Sequence, residues 1–153
     1  MSSSYFELGH QLKRAQSFNV GDVKVRNVIH RYVIQEKEHE ILSAKFSPDN
    51  GFLASSHSDG SLSIFGSIFG DTLYNIRDSE ISFPITAICW RPITMDNLEV
   101  QQFRAVGSDG RILMWRPKYS GALKTLLVSE TNSYQCIDYA HTGTRFACAG
   151  KLP

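Results

Sequence analysis

The nine residues HSDGSLSIF at 57–65 return as GSDGRILMW at 107–115, in register and 50 residues later. Each copy places Asp-Gly between two apolar runs, followed by a large aromatic six residues after the Asp: Asp59 to Phe65, Asp109 to Trp115. Asp-Gly between alternating apolar segments marks a tight hairpin, because glycine adopts the positive φ that such a turn needs. A chain that writes one turn and strand twice builds its fold from repeated units, and the repeat decides the architecture before any local reading does.

The repeat extends beyond the turn. LSAKF, ITAICW and YQCIDY open three copies as short alternating strands. Polar turns follow at SPDNG (47–51), RPITMDN (91–97) and AHTG (140–143), then strands rich in small residues, FLASS, FRAV and RFACA. SLSIF and RILMW supply third strands; DTLYNI and ALKTLLV are expected as fourth strands. Alternation bounded by Pro, Asn, Asp and Gly is the strand pattern, and no segment carries a helical stripe over three turns. Four short strands in about 45–50 residues, repeated, have the spacing of a propeller blade.

The segments FSPDNGFLASSHSDGSLSIF and GSDGRILMW resemble the WD-repeat β-propeller family. The resemblance implies an all-β fold, a partial WD-repeat-like β-propeller of about two full four-stranded blades plus two half-blades. It also implies a buried hydrogen-bonded tetrad in each blade. Carried over by position, His39 precedes the first strand, Ser55 or Ser56 supplies the strand-two hydroxyl, Asp59 and Asp109 are the turn aspartates, and Phe65 and Trp115 the strand-three aromatics. The first copy departs in having Phe65, which lacks an indole N–H. The second has no His in SEISFP and has Val106 in place of a hydroxyl. A carboxylate buried in such a turn must be paired or hydrogen-bonded.

The expected organisation is a leading segment at 1–18, a half-blade at 19–38, blades at 39–80 and 81–131, and a half-blade at 132–153. NVGDVKVRN at 19–27 aligns with SDGSLSIFG, so a fourth strand is expected at VIHRYVI, 28–34. The leading segment, a short helix if SSSYFELGHQLKR is ordered, reads either as a floppy terminus or as a segment that docks against a partner or against the propeller's side. With about three blades' worth of strands, the text reads as the N-terminal portion of a longer propeller, as a short chain that self-associates through open half-blades, or as an open three-blade piece held by another protein.

Sixteen Lys and Arg against fifteen Asp and Glu give a net charge of +1, which offers no electrostatic footprint for nucleic acid or an anionic membrane. The N-terminus lacks a basic-then-apolar signal pattern, and no apolar run approaches the ~18 residues of a membrane span. The three cysteines, Cys89, Cys136 and Cys148, have no CxxC spacing and read as small buried hydrophobes. An intracellular, cytoplasmic setting is the expectation.

Chemistry-bearing motifs are sparse. His57, Ser58 and Asp59 are consecutive, whereas a catalytic triad converges in space from separate elements. His10, His30, His39, His57 and His141 show no HxxxH or HExxH, and GSIFGD at 66–71 is no phosphate cradle. No metal or cofactor is expected. The loop at 91–101 is six residues longer than its counterpart, making Met95, Asp96, Asn97 and Leu98 a candidate partner-binding loop. The resemblance implies a non-catalytic scaffold presenting loops to other proteins or peptides within a multi-subunit assembly. The alternative is a propeller-type enzyme domain whose active site lies outside this chain.

Overall fold

Fourteen strands and no helix make up the described part of a computed structural model, residues 4–7, 19–20, 23–24, 33–36, 39–78, 81–94, 101–116, 123–129 and 132–151. Two four-stranded antiparallel sheets form its centre. The first is an up-and-down meander of β5 (Ile41–Phe46), β6 (Phe52–His57), β7 (Leu62–Gly66) and β8 (Thr72–Ile76). The second repeats it with β9 (Ile85–Trp90), β10 (Phe103–Gly107), β11 (Arg111–Trp115) and β12 (Leu123–Val128). A third pair, β13 (Ser133–Tyr139) and β14 (Phe146–Lys151), continues the series. The first strands β5, β9 and β13 lie side by side, so the sheets stack face to face as successive blades.

The 50-residue period holds in register. Leu53 pairs with Phe65 on β7, and Phe103 with Trp115 on β11. Because side chains alternate across a strand, each sheet buries both faces. Ala54, Leu62 and Ile64 of the first sheet meet Ile88, Trp90, Phe103, Ala105, Leu113 and Trp115 of the second in one core. On the far side of the second sheet, Val106 and Ile112 pack with Ile137 of β13, joined by Phe146 and Cys148. On the far side of the first, Leu53 and Phe65 pack with Ile34.

Hydrogen bonds stitch the sheets together as well as the strands. Trp90 Nε1 donates to the Lys45 carbonyl on β5 at 2.9 Å. Thr86 Oγ1 donates to the Tyr134 carbonyl on β13 at 2.8 Å, and Arg91 Nε to the Gly143 carbonyl at 2.8 Å. The Arg104 guanidinium lies 4.2 Å from the Phe146 ring centroid while its Nε donates to the Tyr139 hydroxyl at 2.7 Å. Such a cation over a ring, partly desolvated, adds about 0.5–2 kcal/mol.

Three expectations need correction. Residues Ser4–Glu7 form a strand, β1, rather than a helix; it pairs antiparallel with β4 (Val33–Glu36), Phe6 opposite Ile34. Backbone pairing occupies an edge of β4 that would otherwise stay open. Of the strand expected at 28–34, residues 28–32 lie outside the described residues, and β4 extends it to Glu36; β2 (Asn19–Val20) and β3 (Val23–Lys24) form a short hairpin earlier in the chain. Finally, the cysteines are not all buried: Cys136 is exposed and Cys89 and Cys148 are half-buried. Cys136 pairs with Ala149 and Ile137 with Cys148, so alternation turns Ile137 and Cys148 toward the second sheet and Cys136 away from it.

Candidate functional site

The strand directions sort the loops onto two ends of the sheets. One end carries the Asp-Gly turns, and the other carries the turns at 47–51, 67–71, 91–94 and 140–145.

At the first end, each Asp-Gly turn closes on itself. Gly60 N–H donates to the His57 carbonyl and Gly110 N–H to the Gly107 carbonyl, both at 3.2 Å, with φ of 84° and 81°. The two aspartates are then satisfied differently. Asp59 accepts from the Ser61 hydroxyl at 2.6 Å and the Ser61 amide at 3.0 Å, with His39 Nε2 3.1 Å and Arg77 3.7 Å away. Asp109 has Arg111 in the position of Ser61. The Arg111 amide donates to Oδ1 at 3.2 Å, and its Nε stands 2.9 Å from Oδ2 as an ion pair, at an angle outside hydrogen-bond range. The second copy thus meets its turn carboxylate with a cation two residues on. That cation is present in the SDGR text itself, whereas the family pattern points upstream to a histidine.

The residues expected as a tetrad make these contacts among the described residues. His39 reaches Asp59, Ser55 Oγ sits 3.1 Å from His57 Nε2, and Phe65 is buried with Leu53 and Ile34. Trp115 is fully buried, its ring 6.2 Å from Trp90, 5.2 Å from Phe103 and 5.4 Å from Tyr74. Ser55 with His57 is a hydroxyl beside an imidazole, the geometry of a nucleophile and base. Both are buried to 2% exposure or less, so no substrate reaches them, and the pair is a core hydrogen bond.

Burial opposes ionisation of Asp59, but the Ser61 hydroxyl and amide, then the charges of His39 and Arg77, outweigh it and hold the carboxyl below its ordinary value. A group with a depressed folded pKa contributes stability above its unfolded pKa, near 3.8, and loses it as pH falls through the folded value. Asp59→Asn is therefore expected to lower the urea midpoint at about pH 6 and to flatten the loss of stability between about pH 4 and 3. An unaltered acid limb would show that this carboxylate is not coupled to folding.

The other end holds a cavity of about 740 Å³. Its walls come from all three first strands: Lys45 and Phe46 of β5, Ile88 to Trp90 of β9, and Ile137 and Asp138 of β13, with Pro48, Pro92 and Ile93 from the turns that follow β5 and β9. Phe46 is 45% exposed, although its alternating strand would suggest a core position. The walls are cross-linked by the Trp90–Lys45 and Arg91–Gly143 bonds, and Cys89 Sγ lies 3.3 Å from Asp138 Oδ1. Burial, then Asp138, push the Cys89 thiol up to about 11, so it is no thiolate nucleophile at neutral pH. Met95, Asp96, Asn97 and Leu98 lie outside the described residues; Ile93, just before them, is exposed and lines the cavity.

The same end bears a feature that the sequence reading weighed only as a phosphate cradle. The β7–β8 turn presents Ile68 at 65% and Phe69 at 81% exposure. Two large apolar residues inside a glycine-bounded turn were the available signal.

Residues 30–65, from before His39 through Phe65, match the family model described as WD domain, G-beta repeat. No curated protein matches the chain. Among the described residues, no helix is long and apolar enough to cross a membrane.

Proposed function

We propose that this chain, whose residues 30–65 match a WD-repeat model, is a non-catalytic scaffold that binds protein or peptide partners through the loop end bearing the cavity. WD repeats generally mediate protein–protein interaction and are typically not catalytic. The observation that carries the reading is a preformed concave surface whose walls are tied together across three sheets. A partner binding there meets a surface already ordered, which keeps the entropic cost of association low. Its apolar walls with one Lys and one Asp are what a peptide-binding cavity needs: area for affinity and a few polar groups for orientation.

Placed in sequence order, the units of this scaffold are the leading segment 1–18, the half-blade 19–38, the blades 39–80 and 81–131, and the half-blade 132–153. His39 with Asp59, and Arg111 with Asp109, brace the turns, while the loop holding Met95 to Leu98 extends the binding rim. The test uses the whole chain and any protein that copurifies with it stoichiometrically. Ile93→Glu should weaken that complex at least about tenfold and leave thermal unfolding unchanged. Equal binding by the variant, or substrate turnover by the chain, would overturn the reading.

A further inference from the structure

We propose that two copies of this chain associate end to end, the Ile68–Phe69 turn of each seating in the cavity of the other. The proposal rests on the scaffold reading's cavity and adds an independent observation: a rigid apolar projection of complementary charge on the same end of the molecule.

The projection is braced. Gly66 N–H donates to the Asp71 carbonyl at 2.9 Å and Gly70 N–H to the Gly66 carbonyl at 2.8 Å. Ser67 ties the turn to its neighbour, its amide donating to the Gly51 carbonyl at 3.1 Å and its hydroxyl to the Asn50 carbonyl. Phe69 and Ile68 are thus held in water by a fixed backbone, and the ordering cost of presenting them is already met in the free chain. Exposed large apolar side chains held this way mark an interaction site.

Charge selects the occupant. The turn is flanked by the exposed carboxylates Asp71 and Asp49, with no Lys or Arg among residues 47–51 and 66–71. Asp49 is held below its ordinary pKa: burial opposes this, but hydrogen bonds from Ser47, Gly51 and Gln101 outweigh it. Two carboxylates beside the tip oppose an anionic lipid surface and favour an apolar pocket with a cation at its rim. The chain's own cavity is such a pocket. Phe46, Pro48, Trp90 and Ile93 supply apolar wall, and exposed Lys45 has no carboxylate within ion-pair reach among the described residues. Asp138 sits across β9 on the opposite wall, so it steers an incoming acid toward Lys45. A volume of about 740 Å³ lies within the roughly 300–1,000 Å³ of ligand-sized pockets, room for the tip's two side chains. Since tip and cavity share one end of the sheets, a two-fold axis exchanges them reciprocally, and the assembly closes at a dimer.

Sedimentation equilibrium of the 153-residue chain over rising concentration tests this. The mass is expected to rise from 17.2 kDa toward twice that value. Phe69→Ser, Asp71→Lys and Lys45→Glu, all at exposed positions, should each raise the dissociation constant at least about tenfold with unchanged melting. The pair Lys45→Glu with Asp71→Lys should restore association. A monomer at every concentration overturns the proposal. So does a dimer indifferent to Phe69→Ser and to the charge reversals, which would form through strand edges instead. Phe69-dependent binding to phosphatidylcholine–phosphatidylserine vesicles by a chain that stays monomeric would assign the tip to a membrane and also overturn it. None of these failures bears on whether another protein occupies the cavity.

Discussion

Trp90→Ala is expected to cost about 3–5 kcal/mol of folding stability, the range for emptying a large aromatic site in a packed core. Trp90 is 5% exposed and stands where two sheets meet. Its ring stacks on Phe52 of the first sheet at 6.4 Å and meets Phe103 and Trp115 of the second edge-on at 5.1 and 6.2 Å. Its Nε1–H spans the boundary to the Lys45 carbonyl. Trp90→Phe separates the two contributions: it keeps most of the ring and removes the donor, at about 1 kcal/mol for the hydrogen bond plus any penalty for the orphaned carbonyl. Guanidinium titration with an unchanged slope reads both losses. Equal losses for Ala and Phe would mean that the hydrogen bond, not the packing, joins the sheets.

Gly110→Ala is expected to destabilise by upward of about 2 kcal/mol, and by at least about 1 kcal/mol more than Gly60→Ala. Both glycines have left-handed φ, so each substitution bears the steric cost of that conformation. They differ in what surrounds them. A Cβ at Gly110 would lie 2.0 Å from the Ser129 carbonyl oxygen and 2.6 Å from that of Asn132, backbone atoms that move only if the loop before β13 moves. At Gly60 the nearest atoms are the Phe83 carbonyl oxygen at 2.8 Å and the Ile81 side chain at 2.9 Å. Denaturant midpoints of the two variants side by side provide the measurement; equal losses would show that φ alone sets the cost.

Much of this architecture was legible because strand, turn and repeat are local signals. The Asp-Gly turns, the third strands ending at Phe65 and Trp115, and the fourth strands at 72–76 and 123–128 all follow from alternation and glycine placement. What was not legible depends on neighbours distant in sequence. Nothing in LSAKF says that Phe46 lines a cavity, because that depends on β9 and β13 lying beside β5. Nothing in QCIDY says that Cys136 faces away from the second sheet while Ile137 faces it. The pairing of Ser55 with His57 required knowing that both point into the same buried face. The Arg111 partner of Asp109 is legible two residues away, but the family pattern directs attention upstream to a histidine instead.

The meander of each sheet also bears on how the chain reaches its fold. Every strand in the two central sheets pairs only with its sequence neighbours, so each sheet is assembled from hairpins with short loop closures, the fast-forming kind of β structure. A ribosome that has released residues 41–76 has released one complete sheet. Its second face, with Ala54, Leu62 and Ile64, then waits for β9 to arrive. During synthesis that waiting face is an aggregation hazard, and the delay lasts only as long as translation takes to deliver Ile85 through Trp90.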